Sequence, residues 1–261
     1  MGTDDRNVRH FYEDGPLRAF TMDVWQPGAG SRLLDIVERI WYWDGTTADP
    51  REVVYPDVGL ELVVQLDHRY RPVHAGEPGA AFPCLSIDGL WHESHTIQAP
   101  PQRCRVDIVG STAGELAERC GYARDGVAAI ATAAAWIEKR LTRDAIDEVA
   151  VRCARALVAH GGAIAISALA EDVGLSAASL ARRFKMHVGT TPKRFARIAR
   201  FRRTLDALAA GATLADVTYR MRYFDHAHLD AEFRAHAGIS PSTYRSAIHF
   251  PMTDAFAATE D

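Results

Sequence analysis

A dense set of cationic side chains occupies a short central part of the C-terminal half of this 261-residue chain. Lysine binds phosphate as a point charge, and the arginine fork also matches the edge of guanine. Between Ala163 and Ile248 there are 13 Lys/Arg against 7 Asp/Glu, a balance of +6, whereas the rest of the chain carries −10. We therefore expect only this region to meet phosphates. Its densest part contains Arg182, Arg183, Lys185, Lys193, Arg194, Arg197, Arg200, Arg202 and Arg203.

Other chemistry is weakly indicated. The cysteines, Cys84, Cys104, Cys120 and Cys153, lie too far apart for a zinc knuckle or a redox pair, so packed thiols are expected. The segment Trp91-His-Glu-Ser-His95 keeps a cupin-like metal enzyme open as an alternative, although residues three apart on a strand point to opposite faces. No nucleophile elbow, phosphate loop or dinucleotide fingerprint occurs. We expect no enzyme, no cofactor and no metal site.

The basic region repeats itself. Phe184-Lys-Met-His-Val-Gly-Thr-Thr-Pro-Lys-Arg-Phe195 matches Phe233-Arg-Ala-His-Ala-Gly-Ile-Ser-Pro-Ser-Thr-Tyr244 at a constant offset of 49 residues. Phe, His, Gly and Pro are identical, and Lys/Arg, Thr/Ser and Phe/Tyr are close exchanges. The pattern predicts two copies of one supersecondary unit.

The first copy has the spacing of a helix-turn-helix. Ala170 is small enough for two helices to touch, Gly174 allows a turn with positive φ, and Leu180 lies on the buried side of the next helix. Ser176 is a good N-cap for that helix. We expect the first unit at about 164–189.

The second copy, at about 212–238, departs from this pattern. Its first helix matches at an offset of 48, so the turn has gained one residue. Asp225 is the predicted N-cap of its second helix, with Leu229 and Phe233 buried. Arg222 stands where the turn glycine is expected, which costs about 1 kcal/mol or more if φ stays positive.

A helix is predicted between the copies, over 192–210. Pro192 favours its first turn and Gly211 its end. Its length of roughly 27 Å approaches the ~34 Å of one DNA turn. Two recognition helices held by this connector would enter successive major grooves.

The first half mixes strand and helix signals, and predicts an α+β domain: a small β-rich sheet or barrel with helices. It precedes an all-α double helix-turn-helix domain. We place the domains at 1–142 and 143–248, with a tail at 249–261. Helical periodicity occurs at 32–42, 113–120, 126–141 and 144–160, and strand-like runs at 52–55, 60–66, 84–87, 95–98 and 103–109.

Residues 145–248 resemble the DNA-binding domain of the AraC/XylS family of regulators. The resemblance rests on Pro192-Lys-Arg-Phe-Ala-Arg-Ile-Ala-Arg-Phe-Arg-Arg-Thr-Leu205, Tyr223-Phe-Asp-His-Ala-His228 and Gly238-Ile-Ser-Pro-Ser-Thr-Tyr-Arg245. Family members pair this module with a variable sensing or dimerising domain. The stretches Leu34-Asp-Ile-Val-Glu-Arg-Ile-Trp-Tyr-Trp43 and Tyr55-Pro-Asp57 are similar to such a domain.

The resemblance implies which residues touch DNA. Positions 178, 181 and 182 would face bases, where Arg182 offers a bidentate donor to guanine and the alanines can meet a thymine methyl. Family members often carry arginine where Ala231 stands, so the second copy departs from the pattern. The DNA-binding set is Ser176, Ala178, Ala181, Arg182, Arg183, Lys185, Lys193, Arg194, Arg197, His226, Ala227, His228 and Arg234. An effector site is guessed at Trp41, Trp43 and Trp91.

The expected partners are double-stranded promoter or operator DNA, a small-molecule effector, RNA polymerase for an activator, and a second copy of the chain. The N-terminus is polar and the apolar run from Val127 to Ile137 is too short to span a bilayer, which predicts a cytoplasmic protein. One alternative is a regulator acting through protein partners, with weakened DNA contacts. A family branch that repairs alkylated DNA uses a cysteine cluster, and the dispersed cysteines speak against that role.

Overall fold

The computed structural model describes residues 8–14, 18–29, 31, 33, 37, 39–47, 51–66, 69–83, 85–98, 102–107, 120, 123–140 and 147–247. The chain divides into two units. The first comprises Met1–Val54, Leu60–Asp88 and His95–Leu141, and the second Tyr55–Gly59, Gly89–Ser94 and Thr142–Asp261.

The first unit is built on two antiparallel sheets. One has six strands in the order β1-β2-β3-β10-β5-β8, and the other has four in the order β4-β9-β6-β7. The strands are β1 Val8–Asp14, β2 Arg18–Trp25, β3 Ile40–Thr47, β4 Arg51–Val54, β5 Leu60–Gln65, β6 Arg71–His74, β7 Glu77–Pro78, β8 Leu85–Gly89, β9 His95–Gln98 and β10 Gln102–Asp107.

The core of this unit follows the two-residue alternation of its strands. Met22 lies opposite Trp43 and Val24 opposite Trp41, and all four side chains are buried. Trp25 and Ile40 form another pair, which packs with the helix α1, Gly126–Arg140. An added Cβ at Gly126 would overlap the Asp23 carboxylate and the Tyr42 ring, so the helix begins where only glycine fits.

The helix predicted over 32–42 is wrong at its C-terminal end. Ile40, Trp41 and Tyr42 open strand β3, which pairs with β2 on one side and with β10 on the other. Pairing on both sides outweighs a short helical periodicity, and these side chains favour strands. Residues 32, 34–36 and 38 lie outside the described residues, as does the helix predicted at 113–120 except for Cys120, which is helical.

The second unit is helical, which confirms the predicted order of an α+β region and then an all-helical one. Its helices are α2 Glu148–Ala159, α3 Ile166–Asp172, α4 Ala177–Val188, α5 Pro192–Ala209, α6 Leu214–Arg220, α7 His226–Ala237 and α8 Pro241–Ala247. None of the described helices is both long and apolar enough to cross a membrane.

The helices enclose two apolar cores. Leu157, Leu169, Leu180, Phe184 and Phe195 are central to the first, and Phe201, Leu205, Val217, Leu229 and Phe233 to the second. Because α5 supplies residues to both cores, it holds the two helix pairs α3–α4 and α6–α7 in one body.

Two short segments complete the second core. The Tyr55 ring lies edge-on to the Tyr244 ring at 5.6 Å and 6.4 Å from that of Phe201. Burial and the neighbouring Tyr55 raise the pKa of Tyr244 to about 12. Nδ1 of His236 lies 2.6 Å from the carbonyl oxygen of His92.

Candidate nucleic-acid interface

The first helix-turn-helix has the turn that its sequence predicts. Gly174 has φ of 69°, a left-handed conformation that glycine adopts without strain. The Ser176 hydroxyl accepts a hydrogen bond from the Ser179 amide at 3.1 Å and so caps α4. Ala170, Leu180 and Phe184 are buried, which confirms the predicted contact between α3 and α4.

The second helix-turn-helix repeats this geometry with a different residue. Arg222 has φ of 56°, so a non-glycine residue takes the left-handed position, and the strain that the sequence made conditional on a positive φ applies here. The Asp225 carboxylate accepts from the His228 amide at 2.7 Å and caps α7. Leu229 and Phe233 are buried, as expected.

Backbone hydrogen bonds locate the extra residue of the second turn. The Gly174 amide donates to Glu171, as the Arg222 amide donates to Tyr219. The Leu175 amide donates to Ala170, as the Tyr223 amide donates to Thr218. The offset of 48 therefore holds as far as Tyr223, and an offset of 49 begins at the cap Asp225. Phe224 is the inserted residue.

The connector α5 begins as predicted. The Thr191 hydroxyl accepts from the Arg194 amide at 3.3 Å, and Pro192 occupies the first turn. Farther along, the Thr204 hydroxyl lies 3.1 Å from the Tyr223 hydroxyl, so the connector is bonded to the second turn. Both groups are buried, which fixes the turn relative to α5.

Several predicted DNA-contacting residues of the first helix-turn-helix are exposed. Ser176, Ala178, Arg182 and Lys185 lie on the solvent side at the start and along α4, and Ala181 is half-buried. Lys193 and Arg194 are exposed in the first turn of α5. Within residues 147–247, no carboxylate forms an ion pair with these four cations: Arg182, Lys185, Lys193 and Arg194.

Arg183 is different, because its Nε lies 2.7 Å from Oδ2 of Asp147. Asp147 is nearly buried, caps α2 through the Ala150 amide, and also lies 3.3 Å from Nε2 of His187. Burial pushes the pKa of Asp147 up, but the Ala150 amide and the Arg183 guanidinium outweigh it, so the pKa is lowered overall. This pair holds α4 against α2. This ion pair could not be predicted from local sequence patterns, because its partners lie 36 residues apart.

Other cations of the predicted cluster also have partners within the unit. Arg197 of the connector lies 2.9 Å from Glu232 of α7. Arg202 lies 3.5 Å from Asp206, and Arg203 donates to the Ala159 carbonyl at 3.4 Å. The Arg197 and Arg203 contacts join α5 to α7 and α2, whereas the Arg202–Asp206 pair lies within α5.

The second recognition helix has fewer unpaired donors. His226 and Ala227 are exposed, but Nδ1 of His226 lies 3.2 Å from the Thr218 hydroxyl. Nδ1 of His228 accepts from the Phe224 amide at 3.2 Å. Arg234 lies 2.7 Å from Asp230 on its own helix.

The end of α6 and the turn that follows it carry exposed residues that sequence reasoning missed. The exposed fraction of Phe224 is 91% and that of Tyr219 is 86%. Arg220 and Arg222 are also exposed, and no carboxylate in the stretch 147–247 pairs with them. The extra residue in the turn was the available signal.

The suggested effector residues lie in different units. Trp41 and Trp43 are buried on one face of β3, whereas Trp91 belongs to the segment Gly89–Ser94 of the second unit and is 46% exposed. Over the residues that the structure describes, no three His, Cys, Asp or Glu side chains are grouped as metal ligands would be.

The geometry defines a double helix-turn-helix, and comparison with known proteins gives its type. Residues 169–247 match a protein family described as a helix-turn-helix domain. This match supports a helix-turn-helix domain of the AraC type over that part of the chain. No curated protein matches the chain in sequence. One solved structure, the C-terminal domain of AraT, a response regulator from Geobacillus stearothermophilus, is 18% identical with a TM-score of 0.38, over 40% of this chain and 88% of that one.

Proposed function

We propose that this chain is a sequence-specific DNA-binding transcription regulator whose α4 and α7 enter successive major grooves of one duplex. The observation that carries this proposal is the repetition of the same capped turn before each helix, with one continuous helix packed into both cores. The 18 residues of α5 span roughly 27 Å at 1.5 Å per residue. Adjacent major-groove faces are separated by ~34 Å, which the packed helix pairs can bridge.

In this proposal the two kinds of contact fall to different residues. Arg182 reads a base, because it projects from the recognition helix without a carboxylate partner in the described helical unit. Lys185, Lys193 and Arg194 bind phosphates on either side of it. Ser176, Ala178 and Ala181 line the same approach, and His226, Ala227 and His228 take the corresponding positions in the second groove.

A salt titration on two duplexes tests the proposal. The full chain is mixed with a random pool, and a strongly bound sequence is selected and compared with a scrambled duplex. Three or four neutralised phosphates give a slope of log K against log salt of about −3 to −4 on both duplexes. The selected duplex keeps higher affinity at every salt concentration. Equal affinity for the two duplexes contradicts sequence-specific reading.

A second candidate is a regulator that acts mainly through a protein partner. The observation in its favour is that Arg234 and Arg197, the arginines on or beside α7, are paired with Asp230 and Glu232. The same titration separates the two functions. A regulator of this kind binds neither duplex even at low salt.

The N-terminal unit would then supply the regulatory input. We propose that residues 1–142 bind a small molecule or a second copy of the chain, and that an activator would also contact RNA polymerase. Sedimentation of the full chain with and without candidate metabolites, at concentrations used for DNA binding, tests both inputs.

A further inference from the structure

Phe224 is an insertion in the turn of the second helix-turn-helix and has no counterpart in the first helix-turn-helix. Its neighbour Tyr223 packs in the core and its neighbour Asp225 caps α7, as their counterparts do in the first helix-turn-helix. The Phe224 ring is therefore needed neither for the core nor for the cap. With 91% of it exposed, burial of the ring contributes little to the stability of the unit. A large apolar side chain is thus presented to solvent directly before the second recognition helix.

The backbone that carries this ring is fixed. The Phe224 amide donates to Nδ1 of His228 at 3.2 Å, and the next residue caps α7. The His228 ring in turn lies edge-on to the Tyr223 ring at 5.5 Å. The exposed position of Phe224 is therefore held by the first turn of the recognition helix.

The exposed surface of α7 continues this apolar character. Ala227 and Ala231 are exposed and lie four residues apart, so they share one face of α7, and Phe224 lies two residues before the start of this helix. The nearby Arg234 forms an ion pair with Asp230. This surface offers methyl and ring contacts in place of an unpaired arginine fork.

We propose that Phe224, together with Ala227 and Ala231, reads thymine methyl groups in the major groove contacted by the second helix-turn-helix. Of the base-pair edges in this groove, only thymine presents a C5-methyl group, and phenylalanine and alanine side chains recognise it by apolar contact. The inference rests on the proposed function. It specifies the second half-site as one selected for thymine, and it makes Phe224 a specificity-determining residue.

Deoxyuridine scanning tests this assignment, because uracil lacks only the methyl group. The strongest duplex selected by the full chain is remade with each thymine replaced singly by deoxyuridine. Loss of one buried methyl corresponds to about a fourfold loss of affinity, and we expect this at one or more positions for the unaltered chain. Phe224→Ala should bind the thymine duplex about tenfold more weakly and respond less than twofold to deoxyuridine at those positions.

Tyr219→Ala is the matched control, since Tyr219 is an equally exposed aromatic residue in the same unit. We expect it to retain the thymine preference, and both variants should keep the melting temperature of the original chain. Equal deoxyuridine losses in Phe224→Ala and the unaltered chain overturn the inference, as does a scan in which no thymine matters. If the unaltered chain selects no duplex, the proposed function itself fails.

Discussion

Cationic side chains in the helical unit differ in whether a carboxylate lies within reach. Arg183, Arg197 and Arg234 each have one at 2.7–2.9 Å. Arg182 and Arg194 have none within residues 147–247. A paired arginine restrains the helix that carries it, whereas an unpaired one is available to a phosphate or base. Substituting the first kind should therefore lower stability, and substituting the second should lower affinity.

The unpaired arginines allow a comparison of base reading with phosphate binding. Arg182→Ala should relax sequence preference, because loss of a bidentate base contact removes ~1–3 kcal/mol of discrimination. Arg194→Ala should weaken binding to all sequences evenly and reduce the salt slope by about 1. Affinities for the selected and scrambled duplexes measure both effects. Equal losses on both duplexes for both variants would contradict these assignments.

The paired Arg183 gives a prediction about stability. Arg183→Ala leaves the nearly buried Asp147 without its closest cation, and should lower the free energy of unfolding by about 1 kcal/mol. Urea denaturation followed by circular dichroism measures this change. Arg182→Ala serves as its control and should leave the midpoint where it is; an equal shift in the two variants would show that the ion pair does not stabilise α4.

At the scale of elements, the two turns use one backbone conformation with different residues. Gly174→Ala should destabilise the chain by about 1 kcal/mol, because an added Cβ has open space but φ is 69°. Arg222→Gly should stabilise it by no more than about 1 kcal/mol, since relief of strain is offset by greater freedom of the unfolded chain. Thermal unfolding of both variants tests this pair. Shifts of the same sign would be incompatible with equivalent turns.

The buried histidine of α7 makes stability depend on pH. Burial lowers the pKa of His236 below its ordinary 6.5, although its bond to the His92 carbonyl opposes this. Arg197 and His92 nearby also disfavour the protonated form, and Glu232 favours it. Below pH 6.5 the unfolded chain binds more protons than the folded one, so stability should fall as the pH drops.

Denaturation at pH 7.5 and 5.5 measures this loss. His236→Gln cannot be protonated in this range and should show a smaller difference between the two pH values. The same pH dependence in both proteins would assign the effect to other groups.

The helical elements were predictable because their signals are local. Ser176 and Asp225 cap helices where the sequence placed them, and Pro192 lies in the first turn of the connector as predicted. The five predicted strands correspond to β4, β5, β8, β9 and β10. Local signals failed at β3, where a short helical periodicity coincides with a strand paired on both sides. Strands β1, β2, β6 and β7 were missed.

The functional surface was less predictable, because it depends on partners distant in sequence. Arg183 and Arg182 look alike in the sequence, yet only Arg183 meets a carboxylate, 36 residues away. The sequence also showed that the second turn was longer. It did not show that the extra residue is an exposed phenylalanine.

At the scale of the molecule, the helical unit is completed by segments from the first half of the sequence. Tyr55 packs on Phe201 and Tyr244 within this unit. Tyr55→Ala should lower the stability of the unit by about 2 kcal/mol, less than for a fully buried aromatic ring. Hydrogen exchange of the α5 and α8 amides measures this loss of stability, with Tyr219→Ala as the control for an exposed aromatic ring. Unchanged protection in Tyr55→Ala would mean that the ring does not contribute to this core.

The insertion of Phe224 makes the two halves of the DNA-binding module chemically unequal. If the proposed function holds, a monomer recognises a DNA site whose two ends differ. Arg182 contacts guanine at one end, and Phe224 contacts thymine at the other. Such a site has no dyad, so the chain can settle on it in only one direction. Reversing the site relative to a transcription start would turn the regulator around and present a different side of it to the transcription machinery.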